Sequence, residues 1–127
     1  MNILYESTGI IHYKSNPEIK VVLSVDQDIV EYYRSLIPKH IVSNRQLYSA
    51  HISVVRKEVP TRAKHWGKYE GMYVDFQYSP IIEWNDTYIW LKAYSNDLKR
   101  LRVELGLPPF RKGCDNFHIT LGNFKKI

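Results

Sequence analysis

Leu47-Tyr48-Ser49-Ala50-His51-Ile52-Ser53-Val54-Val55 reads as a strand, and Asn116-Phe117-His118-Ile119-Thr120-Leu121-Gly122 repeats its pattern near the other end of the chain. Strand side chains alternate between two faces. His51 and Ser53 therefore point one way and Ile52 and Val54 the other. His118 and Thr120 stand in the same relation to Ile119 and Leu121. The aliphatic face suits a core. The opposite face then carries an imidazole and a hydroxyl side by side on a rigid element, as a catalytic pair requires.

Upstream of each motif the same order of elements recurs. Lys20-Val21-Val22-Leu23-Ser24-Val25 predicts a buried strand, rich in β-branched residues. Asp26 is placed to cap a helix, and Ile29, Val30, Tyr33, Leu36 and Ile37 fall on one helical face before Pro38 stops it. In the second half Thr87-Tyr88-Ile89-Trp90-Leu91-Lys92-Ala93 predicts a strand, and Ser95 a cap. Leu98, Leu101 and Leu105 mark a helical face, and Gly106 with Pro108-Pro109 ends it. Asp26 precedes His51 by 25 positions and Ser95 precedes His118 by 23. Gly9–Tyr13 and Met72–Phe76 offer one further strand to each half. A duplicated unit is therefore expected, and it is the reason for treating the two histidines as a pair. His12, His40 and His65 are followed by no such pattern.

Composition bounds the rest. The 127 residues are 44% hydrophobic and 24% charged, which predicts one globular domain over 1–127. Cys114 is the only cysteine, so neither an internal disulfide nor a cysteine zinc cluster can form. A lone thiol suits a reducing compartment. Apolar runs such as Val21-Val22-Leu23 are too short to cross a bilayer, and Met1–Glu6 lacks the basic start of a secretion signal. A cytoplasmic location is expected. The net charge of +5 attracts phosphates, although it also lies in the ordinary range for a small domain. Dinucleotide-binding, Walker, nucleophile-elbow and His-Glu-x-x-His signatures are absent from the sequence.

The paired motifs His51-Ile52-Ser53-Val54 and His118-Ile119-Thr120-Leu121 resemble those of the 2H phosphoesterase superfamily. That group includes LigT-like RNA phosphodiesterases, tRNA-processing cyclic phosphodiesterases and phage enzymes that degrade cyclic oligonucleotide immune signals. The resemblance implies an α+β fold of two similar lobes, each an antiparallel sheet plus helix, around a central cleft with one motif per lobe. It implies a hydrolase in which His51 and His118 act as general acid and base, while Ser53 and Thr120 hold the phosphate. It implies neither a metal nor another cofactor.

The expected substrate is a nucleotide or short RNA-like phosphodiester, foremost a cyclic oligonucleotide signal. The alternative is a 2′,3′-cyclic phosphate at an RNA end. Neither a membrane nor a DNA duplex is an expected partner. Arg56, Lys57, Lys125 and Lys126, just beyond the motifs, are candidate phosphate ligands. Tyr13 and Trp66 are candidate base-stacking residues, Trp66 because it lies in the basic stretch Arg62–Lys68. Tyr48 lies an odd number of residues from His51, so a regular strand would point it away. Trp84 and Trp90, in strand-like text, are expected in the core. A thiol–imidazole pair of Cys114 and His118 and a non-catalytic RNA-binding module are the competing readings.

Overall fold

The computed structural model describes residues 3–125. In chain order it contains β1 (Tyr5–Lys14), β2 (Lys20–Ser24), α1 (Gln27–Ser35), β3 (His51–Arg56), a 3-10 turn (Ala63–His65), β4 (Tyr73–Tyr78), β5 (Glu83–Trp84), β6 (Tyr88–Tyr94), α2 (Asn96–Glu104) and β7 (Phe117–Asn123). Both expected caps are in place. The Asp26 side chain accepts from the Asp28 amide and the Ser95 side chain from the Leu98 amide.

The chain does not form two lobes around a cleft. Its strands run in the order β4-β1-β2-β3-β7-β6-β5, and β4 also pairs with β6. All the pairings are antiparallel, so six strands close into one barrel, with two short helices and mostly sheet. The physical reason lies in the edges. Each repeated unit alone would be a three-stranded sheet with two open edges of unpaired backbone. Here β1 lies against β4, with Tyr5 opposite Tyr78 and Ile10 opposite Tyr73, and β3 lies against β7. Each unit thus covers the other's edges, and the repeat survives as half-barrels rather than lobes. The short β5, which the sequence did not indicate, flanks β6.

One cluster of buried side chains fills this barrel. It takes alternate residues of the strands, among them Val21, Leu23, Ile52, Leu91 and Ile119, together with Val30 and Tyr33 of α1 and Leu98 and Leu101 of α2. Leu36, expected on the helix's apolar face, is exposed at 52%.

Both motif strands break their alternation at the same place. Val21 pairs with Val55 and Val22 with Ser53, leaving Val54 as an extra residue. Ile89 pairs with Gly122 and Trp90 with Thr120, leaving Leu121 as an extra residue. A bulge turns the following side chain to the other face. It places Val54 and Val55 both inside and turns Arg56 outward. A bulge also frees a carbonyl, and each one is taken by an arginine from the other unit's helix. Arg102 Nη1 donates to Val54 O at 2.7 Å and Arg34 Nη1 to Leu121 O at 2.8 Å.

Candidate functional site

Ile52 and Ile119 are opposite residues of the β3–β7 pair. Antiparallel register then sets His51 opposite Thr120 and Ser53 opposite His118. Both isoleucines are fully buried, and all four polar residues lie half-buried on the other face. The two imidazoles are diagonal neighbours, whose backbones sit roughly 7–8 Å apart in such a pair. Two strand segments 67 positions apart in the chain therefore deliver both histidines and both hydroxyls to one surface.

That surface is the floor of a groove of about 470 Å³, a size that suits a small ligand. His51, Ser53, His118 and Thr120 all line it, as do Arg56, Lys57 and Lys125. Lys57 takes a left-handed backbone conformation (φ 55°), uncommon for a residue with a Cβ, and turns the chain at the rim. Lys126 lies outside the described residues.

The two imidazoles differ in setting. His51 Nδ1 lies 2.7 Å from the Ser49 carbonyl, which can only accept, so Nδ1 carries the proton and Nε2 is left for a ligand. His118 lies under the edge of Trp90, ring centroids 5.6 Å apart at 86°. Burial holds the His118 imidazole below its ordinary pKa. Glu83 opposes that shift, while Arg111 and Lys92 reinforce it. His118 therefore favours the neutral, proton-accepting form.

The sequence reading missed several groove residues. Tyr88 and Trp90 lie on the outward face of β6, with Trp90 opposite Thr120 and Lys92 opposite His118. The expected core position of Trp90 is thus corrected. Ile89, Leu91 and Ala93 fill the core side of that strand, and an alternation count alone would have put Trp90 beside the motif. Lys125 Nζ sits 4.8 Å from the Tyr88 ring centroid and holds its phenol below the usual pKa. Arg111 comes from the loop after α2, which carries no periodic signal; Cys114, the thiol of the competing reading, and Asn116 line the groove from the same loop. Trp90 Nε1 and Asn116 Oδ1 are buried without a hydrogen-bond partner among the described residues. A ligand's polar groups therefore have most to gain at the His118 end.

Tyr13 and Trp66 are brought together, but away from this groove. They meet edge to face at 5.1 Å, both pack against the core, and neither lines the histidine groove. Trp84, expected in the core, is 69% exposed on β5. Residues Leu47–Ala50, expected as strand, form an irregular approach to β3. Tyr48 is therefore not bound by strand alternation, and it stands 70% exposed.

Among the described residues no three His, Cys, Asp or Glu side chains gather as a metal site would require. No described helix is long and apolar enough to cross a membrane. Comparison with protein-family models, with curated proteins and with solved structures returned no match.

Proposed function

We propose that this chain cleaves nucleotide phosphodiesters by general acid–base catalysis between His51 and His118. One observation supports this above the others. The pairing of Ile52 with Ile119 puts both imidazoles and both hydroxyls on the floor of one groove. A strand polar face with no task has no need of matched motifs in matched register.

His118, held neutral by burial, takes the role of base. It removes the proton from the attacking oxygen, a water or a ribose 2′-hydroxyl, as that oxygen bonds to phosphorus. His51 takes the role of acid. With Nδ1–H anchored on the Ser49 carbonyl, it passes a proton from Nε2 to the departing oxygen as the old P–O bond breaks. Ser53 and Thr120 donate hydrogen bonds to the non-bridging oxygens, where charge builds in the transition state. Arg56 and Lys125 add positive charge at the rim. The lone Cys114, exposed on the groove wall, fits a reducing cytoplasmic setting.

A hydrolysis assay in EDTA tests this reading. The panel contains linear RNA ending in a 2′,3′-cyclic phosphate and cyclic di- and trinucleotides. Metal-independent turnover of one of these classes supports the reading and names the substrate. A cyclic oligonucleotide is the expected one, and the RNA end the alternative. Binding without any turnover points instead to an RNA-binding module. A strict requirement for a divalent cation would remove the two-histidine mechanism. Alkylation of Cys114 that abolishes turnover with both histidines intact would move the chemistry to the thiol.

A further inference from the structure

A second groove of about 650 Å³ adjoins the first and shares His51, Ser53, Arg56, Tyr88 and Lys125 with it. Its floor is the outward face of β2. Ser24 lies opposite His51, Val22 opposite Ser53 and Lys20 opposite Arg56. On the next strand Lys14 lies opposite Lys20. Arg56, Lys20 and Lys14 therefore form one row across β3, β2 and β1. At about 4.8 Å per strand the row spans roughly 10 Å, leading away from the histidines. Neither Lys14 nor Lys20 has an ion-pair partner among the described residues, and Glu18 is the only carboxylate lining this groove.

Like charges directly opposite one another weaken a sheet. Three in succession oppose folding, and an anion laid along the row relieves that repulsion. Above the row stands Tyr48, with the Lys20 Nζ 5.1 Å from its ring centroid. Among the described residues Tyr48 makes no side-chain hydrogen bond, and 70% of its surface faces solvent. A row of cations beneath an open aromatic face is the pairing that holds single-stranded nucleic acid, phosphates below and a base stacked above.

We infer that the Arg56–Lys20–Lys14 row and Tyr48 form a binding track for the nucleotides flanking the scissile phosphate of a single-stranded RNA. The inference rests on the proposed phosphodiester site for its direction, and within that reading it favours the RNA alternative over the cyclic oligonucleotide.

The test measures binding rather than turnover. The probe is a fluorescein-labelled six-nucleotide 2′-O-methyl oligoadenylate with a 3′-phosphate, which holds neither a cyclic ester nor a 2′-hydroxyl able to attack its phosphates. Affinity is read by anisotropy over a salt series. Each phosphate contact of a single strand contributes about 0.7 to the slope of log affinity against log salt. Lys14→Gln and Lys20→Gln are each expected to reduce that slope by about 0.7. Tyr48→Ala is expected to weaken binding about 10-fold, within the range for one stacked base. Lys64→Gln, the same change of charge on an exposed residue outside both grooves, serves as the control. The inference is overturned if the wild-type chain does not bind the hexamer. It is also overturned if Lys64→Gln acts as strongly as Lys14→Gln, or if Tyr48→Ala has no effect. Binding that follows the expected pattern without hydrolysis in the panel above sinks the catalytic reading and leaves this track standing. Hydrolysis without hexamer binding does the reverse.

Discussion

Arg102 donates from Nη1 to the carbonyl of Val54 at 2.7 Å, joining the helix of the second half-barrel to the bulge beside the first histidine motif. The guanidinium is fully buried. It also forks onto Glu58 at 2.8 and 2.7 Å and reaches the Pro108 carbonyl at 2.8 Å through Nε. Those bonds fix the loops on either side of the groove. Arg102→Ala leaves Glu58 and the Val54 carbonyl without their partner, and a broken buried pair costs about 3–5 kcal/mol. Urea unfolding should show a loss of that size. Replacing both members, Arg102→Met with Glu58→Met, should recover most of it, because no lone buried charge remains. A loss below about 1 kcal/mol for Arg102→Ala would mean that the brace carries no load.

The proposed division of labour on the groove floor predicts how activity responds to substitution. His51→Ala and His118→Ala should each reduce kcat by at least about 100-fold, the low end for losing a general acid or base. Thr120→Val keeps shape and removes the donor. It should lower kcat about 10²- to 10³-fold, as for the loss of one transition-state hydrogen bond, and so should Ser53→Ala. Single-turnover kinetics on the substrate found by the panel measure each effect. Wild-type rates in both histidine variants would place the chemistry elsewhere.

Local features of the sequence indicated much of this arrangement. The caps Asp26 and Ser95, the alternation around Ile52 and Ile119, and the repeat that pairs the histidines are all set by neighbours within a few residues. Barrel closure is not. That Tyr5 meets Tyr78 depends on which open edges find each other, a long-range choice with no pattern in the text. The bulges escape for another reason. Val54-Val55 and Leu121-Gly122 offer small or apolar side chains to either face, so a two-residue period cannot say which residue is extra. Arg56 owes its outward position to the bulge at Val54. The large apolar ring of Trp90 suggests a core position, whereas its indole lies beside His118. The basic neighbours of Trp66 suggest a substrate contact, whereas its ring packs on Tyr13.

Burial of His118 ties stability, and the proposed activity, to pH. The unfolded chain takes up a proton near pH 6.5, the ordinary imidazole value, while the folded chain resists it until a lower pH. Above pH 6.5 neither state is protonated there and the group contributes nothing to pH dependence. As pH falls from 6.5 towards the lowered folded pKa the unfolded state gains protons first, so stability falls. Thermal melts from pH 5 to 8 should show the wild-type Tm dropping relative to His118→Gln in that window. The acid limb of kcat/KM should likewise lie below pH 6.5, since His118 in its proposed role as base works until it is protonated. Parallel melting of the two chains throughout would contradict the burial of this ring.

The second bulge depends on a residue with no side chain. A Cβ on Gly122 would come within 2.5 Å of Arg34 Nη1 and 2.7 Å of the Asn44 carbonyl. Asn44 pairs with Asn123 through two backbone hydrogen bonds, of 2.8 and 3.0 Å, and Arg34 Nη1 holds Leu121 O. Neither neighbour can withdraw without loosening β7, the strand that carries His118 and Thr120. Gly122→Ala is therefore expected to cost about 1–3 kcal/mol, the usual range for overpacking. It should also lower kcat more than Gly113→Ala does, because an added Cβ at Gly113 meets nothing within 4 Å and only a backbone change at φ +82° remains. Amide hydrogen exchange locates the damage. Faster exchange along β7 and at Asn44, with β1 and β2 protected as before, is the expected pattern. Unchanged β7 protection together with wild-type turnover would show that the Arg34 brace is not needed to hold the second motif.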